Sequence, residues 1–219
     1  MKINKEQYAL MEKHLDLVLQ ANKSINLTSI TDEADGKVHH IEDSLAALLE
    51  LENIKGEFVD MGSGGGFPGI PLSIALNKKF TLVETVGKKA DCLETFISHL
   101  NICSKVSVSN CRLEEIADKR RNYYSAATAR ALSSLSSLME LASPLLKTDG
   151  LLICYKGVNC EEEFNNAIEV KDKLGYRFIS NREYSLSDGV KHSIITFQKV
   201  YEAKVKLPRK FGFAQKKPF

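Results

Sequence analysis

The 219-residue chain has no apolar run approaching the roughly eighteen residues of a membrane span. Its opening, Met1-Lys2-Ile3-Asn4-Lys5-Glu6-Gln7, lacks the apolar segment of a signal peptide, so the expected location is the cytoplasm. Asn22-Lys23-Ser24 and Asn26-Leu27-Thr28 then have the form of glycosylation sequons without meeting the modifying enzyme. Five cysteines, at 92, 103, 111, 154 and 160, are odd in number and have no C-x-x-C spacing, which argues for reduced thiols. Cys154, within the apolar run Leu151 to Tyr155, is expected in the core. The adjacent His39 and His40 have no cysteine nearby, so no metal is expected. Internal repeats and low-complexity segments are absent, and nothing demands a dimer.

Acid is missing from residues 204–219. Lys204, Lys206, Arg209, Lys210, Lys216 and Lys217 place six positive charges there. Setting those six aside from 30 basic residues leaves 24 against 28 acids, net −4. A basic tail with interleaved Phe211, Phe213 and Phe219 can neutralise phosphates and stack on unpaired bases. A solubilising disordered terminus is the alternative that composition leaves open.

What the chain does have is a concentration of glycine in one stretch. The stretch Asp60-Met61-Gly62-Ser63-Gly64-Gly65-Gly66-Phe67-Pro68-Gly69 follows the apolar pair Phe58-Val59. A short strand ending at an acid, four glycines in five residues and a helix start at Pro68 read as a nucleotide-cofactor loop. Two frames fit it. Gly64, Gly66 and Gly69 match the dinucleotide pattern G-x-G-x-x-G, which would suit NAD(P) and an oxidoreductase. Asp60, Gly62, Gly64 and Gly66 form an acid-x-G-x-G-x-G series that begins where the strand ends. An acid there is awkward beside a pyrophosphate but suits the ammonium of S-adenosylmethionine. Phe80-Thr81-Leu82-Val83-Glu84 ends in an acid about twenty residues on, where Glu84 can accept both ribose hydroxyls in either frame.

The rest of the pattern is alternating. Asn4 and Gln7 form a capping-box pair before Tyr8, Met11, Leu15, Val18 and Leu19 at helical spacing. A second amphipathic segment, with Val38, Ile41, Leu45, Leu48 and Leu49 on one face, packs on it across the polar connection 22–35. Strands are expected at 58–60, 80–84, 106–109, 126–129 and 151–155. The intervening helices start at Pro68, run over 88–100, lie near Leu113, and cover 134–143 and 160–174. The runs 176–184 and 192–199 close as an antiparallel hairpin. Such alternation implies a single α/β core with a mainly parallel sheet and ligands at the carboxyl ends of its strands. The expected organisation is an N-terminal helical extension over 1–53, the core over 54–199 and a basic tail over 200–219.

These residues also carry a family resemblance. Asn26-Leu27-Thr28-Ser29, His40-Ile41-Glu42-Asp43-Ser44, the loop from Asp60 to Pro71, Thr128-Ala129-Arg130-Ala131 and Lys156-Gly157 occur in the order found in the bacterial small-subunit ribosomal RNA methyltransferase G family, formerly glucose-inhibited division protein B. The ending Leu207-Pro208-Arg209-Lys210-Phe211-Gly212 to Lys216-Lys217-Pro218 is similar as well. The resemblance implies a class I, Rossmann-like methyltransferase with seven strands, the last antiparallel. It implies S-adenosylmethionine-dependent methylation of guanine N7 in the 530 loop of 16S ribosomal RNA, free or within the small subunit. By position, Gly62, Phe67, Leu113 and Glu114 would contact the methyl donor, and Arg130 would lie between donor and target base. Guanine N7 carries its own lone pair, so alignment rather than proton abstraction is the expected work, with Arg130 orienting guanine O6 or a phosphate.

Further candidates have bland alternatives. Lys156, following the fifth strand, either faces the target or is a solvated charge. His40 and Asp43, three apart, form either a polar pair near the RNA or an ordinary helix-surface pair. Lys191 stands where many relatives have arginine, which leaves at most a point-charge contact with phosphate there. A non-catalytic RNA-binding protein is the remaining rival; it accounts for the tail but leaves the glycine loop without a purpose.

Overall fold

The computed structural model describes residues 3–219; Met1 and Lys2, part of the stretch weighed against a signal peptide, lie outside the described residues. Seven strands form one sheet in the order β3-β2-β1-β4-β5-β7-β6. They are β1 Phe58–Met61, β2 Phe80–Val83, β3 Val106–Ser109, β4 Tyr124–Arg130, β5 Leu146–Gly157, β6 Tyr176–Ser185 and β7 Lys191–Lys199. Neighbouring strands among β1 to β5 pair in parallel, and β7 runs antiparallel to both β5 and β6. The hairpin thus inserts the last strand between β5 and β6. Among the described residues no helix is long and apolar enough to cross a membrane.

Strand alternation divides the core in two. Phe58, Phe80, Ala126, Ile153 and Ile194 point to one face, and Val59, Ala127, Leu152, Ile195 and Phe197 to the other. The first face is covered by α5 Gly69–Leu76 and α6 Gly87–His99, and also by Met11, Leu15 and Val18 of the N-terminal helix α1 Lys5–Asn22. The second is covered by α7 Leu113–Lys119, α8 Leu135–Ala142 and α9 Glu161–Val170. The first helix therefore shares a core with the sheet. Its capping box is formed as expected, and Gln7 also donates from Nε2 to Ile74 O (2.9 Å) and Ala75 O (3.0 Å), satisfying the carbonyl end of α5.

The second amphipathic segment departs from the expectation. It is broken into α2 Glu33–Gly36, a π-helical turn over Lys37–Glu42, α3 Asp43–Leu45 and α4 Leu48–Leu51. A π turn inserts an extra residue and advances the helical phase. Ile41 and Leu51 are consequently buried, whereas Leu49, expected on the apolar face, is 65% exposed. The same shift carries His40 and Asp43 inward. The broken helix is clasped by the hairpin: Arg182 grips Glu50 through Nε (2.7 Å) and Nη2 (3.0 Å), and Ser187 donates to Glu42 from its backbone (2.8 Å) and its hydroxyl (2.6 Å).

The tail is folded onto the second face. Leu207 and Ala214 are buried there, and a short helix α10 spans Phe213–Lys216. This sets aside the disordered terminus that composition allowed. Folding on the core also consumes part of its charge and aromatic surface, since Arg209 binds the buried Glu140 and Phe219 lies against Arg209 (4.0 Å) and Lys173 (3.9 Å).

Candidate active site

The carboxyl ends of β1, β2 and β4 open onto one cavity of about 760 Å³. At its floor the glycine loop turns back on β2, with Gly62 N–H and Ser63 N–H both donating to Val83 O (2.9 and 3.0 Å). Gly64 N–H donates to Glu84 Oε2 (3.0 Å), while Val86 N–H donates to Glu84 Oε1 (2.8 Å). Each carboxylate oxygen has one protein partner and capacity for another, and Glu84 lines the cavity beside Gly62 and Gly64. Gly64 has φ +55°, and a Cβ built on it would meet no atom within 4 Å because it would project into open space. This combination, a backbone without side chain and a half-occupied carboxylate, fits the ribose and adenosyl part of S-adenosylmethionine. Gly66 works differently: at φ +92° its Cβ would lie 2.7 Å from Ile70 Cδ1, and it does not line the cavity. It packs the loop.

Asp60 is also turned away from the cavity. Strand β1 continues one residue beyond the expected end, to Met61, and places Asp60 on the face of α5. Its Oδ1 accepts from Thr128 Oγ1 (2.7 Å) and its Oδ2 from Gly69 N–H (3.2 Å), with 1% of the residue exposed. Burial pushes its carboxyl above the ordinary range, outweighing these hydrogen bonds. The acid expected to meet an ammonium instead ties β1, β4 and the start of α5 together. A Cβ on Gly69 would come 2.8 Å from that Oδ2, so the third glycine of the dinucleotide frame is a packing requirement of Asp60.

Above the loop, Phe67 is the centre of a ring stack. His40 lies 4.4 Å from it, nearly parallel at 11°, and His14 of α1 lies 4.4 Å away on a tilted plane. His14 Nε2 bonds Gly65 O (2.9 Å), and burial lowers its pKa to about 3. A neutral ring must therefore carry its proton on Nε2 to serve the carbonyl, leaving the buried Nδ1 unpartnered. His14 carries one signal in the sequence, a polar ring on the apolar face between Met11 and Leu15.

Arg130 ends β4 and is gripped by the broken helix. Nη1 donates to Asp43 Oδ2 (2.7 Å) and His39 O (2.9 Å), and Nη2 to His40 Nδ1 (3.1 Å). Because His40 Nδ1 accepts, its Nε2–H donates to Thr28 Oγ1 (2.9 Å). Burial and then the neighbouring Arg130 lower the His40 pKa to about 4, so this neutral tautomer persists at neutral pH. Burial alone would raise the Asp43 carboxyl. Arg130, together with hydrogen bonds from Tyr184 (2.5 Å) and His192 (2.9 Å) onto Oδ1, holds it below the usual carboxylate range. His40 and Asp43 thus converge on Arg130 instead of pairing with each other on a surface. Tyr184 and His192 lie more than 140 residues from Asp43 in sequence, which is why spacing did not reveal them.

The remaining candidates divide. Leu113 and Glu114 line the cavity, but Glu114 Oε1 accepts Gly212 N–H of the tail (3.0 Å). Lys156 lies within β5, which extends past the expected end, opposite Ser193 of β7. It lines the cavity while bonded to Glu163 (2.5 Å) and Ser133 O (2.6 Å), so it is neither solvated nor unpartnered. Lys191 is exposed at the start of β7, beside the clasp.

A seven-stranded sheet with its last strand antiparallel, and a glycine loop opposite an acid at the end of β2, define the class I methyltransferase fold. Solved structures agree on the fold. An O-methyltransferase from Bacillus cereus in complex with SAH matches with a TM-score of 0.62 at 17% identity, over 85% of this chain and 90% of that one. A geranyl diphosphate methyltransferase in complex with SAM matches with a TM-score of 0.56 at 14% identity, over 80% and 94%. At the sequence level, the model of the family "rRNA small subunit methyltransferase G" (GidB) matches residues 7–181. Ribosomal RNA small subunit methyltransferase G of Oenococcus oeni is 35% identical over 99% of this chain and 91% of its own length. The protein of that name from Alkaliphilus metalliredigens is 33% identical over 99% and 92%. The chain belongs to the rRNA small subunit methyltransferase G family.

Proposed function

We infer that the protein transfers the methyl group of S-adenosylmethionine to N7 of a guanine in the 530 loop of 16S ribosomal RNA. The observation that carries this reading is a single cavity with two chemically distinct ends: Gly64 and Glu84 at one, Arg130 with His40 and Asp43 at the other. When bound, S-adenosylmethionine supplies an electrophilic sulfonium methyl. Gly62, Gly64, Phe67, Glu84, Leu113 and Glu114 would hold it, with Asp60 and Gly66 shaping the loop from behind.

The protein's part is alignment and field. Asp43 has both oxygens bonded and is held ionised, and His40 has both ring nitrogens engaged, so neither is arranged to remove a proton. None has to be removed, because N7 attacks through its own lone pair. Arg130 has five N–H groups, three of which serve Asp43, His39 and His40. The other two can orient guanine O6 or a phosphate in a fixed geometry. A bare guanidinium would oppose the positive charge developing on the base; Asp43, 2.7 Å away, neutralises it. Arg130 therefore positions without repelling.

The reading is tested by incubating the protein with unmethylated ribosomal RNA and the methyl donor, then mapping the product by mass spectrometry. One methyl on a 530-loop guanine is expected; a mark on another nucleotide overturns the assignment. Titration calorimetry with S-adenosylhomocysteine and with NAD should give binding only for the former.

A further inference from the structure

The tail crosses the molecule as a strap whose main pin is Arg209, with Arg121 donating to Leu207 O upstream of it. Arg209 grips both carboxylate oxygens of Glu140 (2.6 and 2.5 Å), a residue only 2% exposed, and donates to Lys217 O (2.8 Å). Ser137 Oγ donates to Ala214 O (2.6 Å), which seats α10 on α8. A bidentate pair on a buried carboxylate is a strong, directional anchor. From that pin the strap runs along the wall of the cavity formed by Arg112, Leu113 and Glu114. The Phe211 ring lies 5.7 Å from the Arg112 guanidinium, Gly212 N–H reaches Glu114, and Gln215 itself lines the cavity.

Two features of this contact point to a ligand. Glu114, one of the residues proposed above to hold the methyl donor, has one oxygen engaged by the strap, so strap and donor meet on one carboxylate. Gln215 lines the cavity at an exposed position, and among the described residues its side chain makes no hydrogen bond within the protein. An amide offers a donor and an acceptor together, the chemistry that matches the edge of an adenine. The same strap carries Lys210, Lys216 and Lys217 on its exposed side.

We propose that the strap is a wall of the methyl-donor site, that Gln215 contacts the adenosyl group, and that RNA phosphates on the strap lysines couple RNA docking to donor binding. This rests on the methyltransferase reading above. Phosphates that hold the strap down order the wall before the second ligand arrives, so each ligand tightens the other reciprocally.

The test is calorimetric titration of S-adenosylhomocysteine into the full-length protein, with and without a 530-loop RNA hairpin. Gln215→Ala removes the amide from an exposed position and should weaken binding about three- to tenfold. The pair Arg209→Ala with Glu140→Gln releases the pin, since the strap loses its anchoring side chain and no buried charge is stranded. In the unmodified protein the hairpin should tighten S-adenosylhomocysteine binding by about threefold or more, and in the released variant it should not. An unchanged Kd in Gln215→Ala overturns the contact, and a Kd indifferent to RNA in the unmodified protein overturns the coupling. A protein that binds no S-adenosylhomocysteine at all counts instead against the methyltransferase reading.

Discussion

The two ends of the chain both reach the site, and they are held there by different physics. The N-terminal end arrives through a buried network: Asp43 and His40 on Arg130, with Met11, Leu15 and Val18 of α1 in the sheet's own core. The C-terminal end arrives as a strap attached by one bidentate ion pair, a few buried side chains and hydrogen bonds from Arg121, from Ser137 and to Glu114. Displacing the first end would open the sheet's core and unpair Asp43 and Arg130; displacing the second would unpair Glu140 and uncover a smaller apolar surface around Leu207 and Ala214. The Arg130 end of the cavity is built as fixed scaffold, and the Glu114 end has a wall with fewer buried contacts and so lower local stability.

Breaking the N-terminal network should have the largest effect. Asp43→Ala leaves Arg130 without its counter-charge and should cost about 3–5 kcal/mol of stability, read by urea denaturation. Methyl transfer should fall on the order of a hundredfold. A loss below about 1 kcal/mol would mean that exposed pairs, not this network, hold the end in place. Arg130→Ala, which removes the cation instead, should lower turnover while the protein stays folded; unchanged turnover sinks its orienting role.

Acid should sharpen the comparison next. His14 and His40 have folded pKa values of about 3 and about 4, below the ordinary 6.5. As pH falls below 6.5 the unfolded chain takes up protons first, so stability declines until the folded values are reached. At pH 5 the loss should be on the order of 2 kcal/mol for each ring. His14→Phe should make thermal unfolding less sensitive between pH 7 and 5, whereas strap substitutions should leave that slope alone.

Smaller effects belong to the surface. Arg182→Ala removes the clasp on Glu50, a pair only partly screened, and should cost about 1 kcal/mol. Changing Lys210, Lys216 and Lys217 together to Gln should leave stability within about 0.5 kcal/mol. It should lower the salt slope of RNA binding by about 2–3, as expected if each lysine meets one phosphate. An unchanged slope would place the RNA elsewhere.

Much of the architecture was legible because it repeats a local rule. Alternation of short apolar runs with amphipathic helices located all seven strands, to within a few residues at most ends, and β3 without error. The second helix was misread for a local reason too: a π turn changes helical phase, and no side-chain spacing announces it. Within the loop, residue type was legible but direction was not. Asp60 and Glu84 are both acids at strand ends, yet Asp60 is enclosed by Thr128 and Gly69 while Glu84 faces the cavity. Position along the strand decides between them: Asp60 lies within the sheet, paired with Leu82, whereas Glu84 stands past the end of β2, where Gly64 N–H reaches it.

Fold class, the glycine loop with its acid at the end of β2, the polarised tail and the family follow from residue order alone, since each is encoded in neighbouring residues. Folding is what brings Asp43 to neutralise Arg130, sets Tyr184, His192 and His14 behind the site, and closes the tail on Glu114. Those contacts join residues far apart in the chain, and their meaning depends on burial. In low dielectric an arginine must be paired and a histidine must stay neutral, and the chain shows which residues are buried only once it has folded.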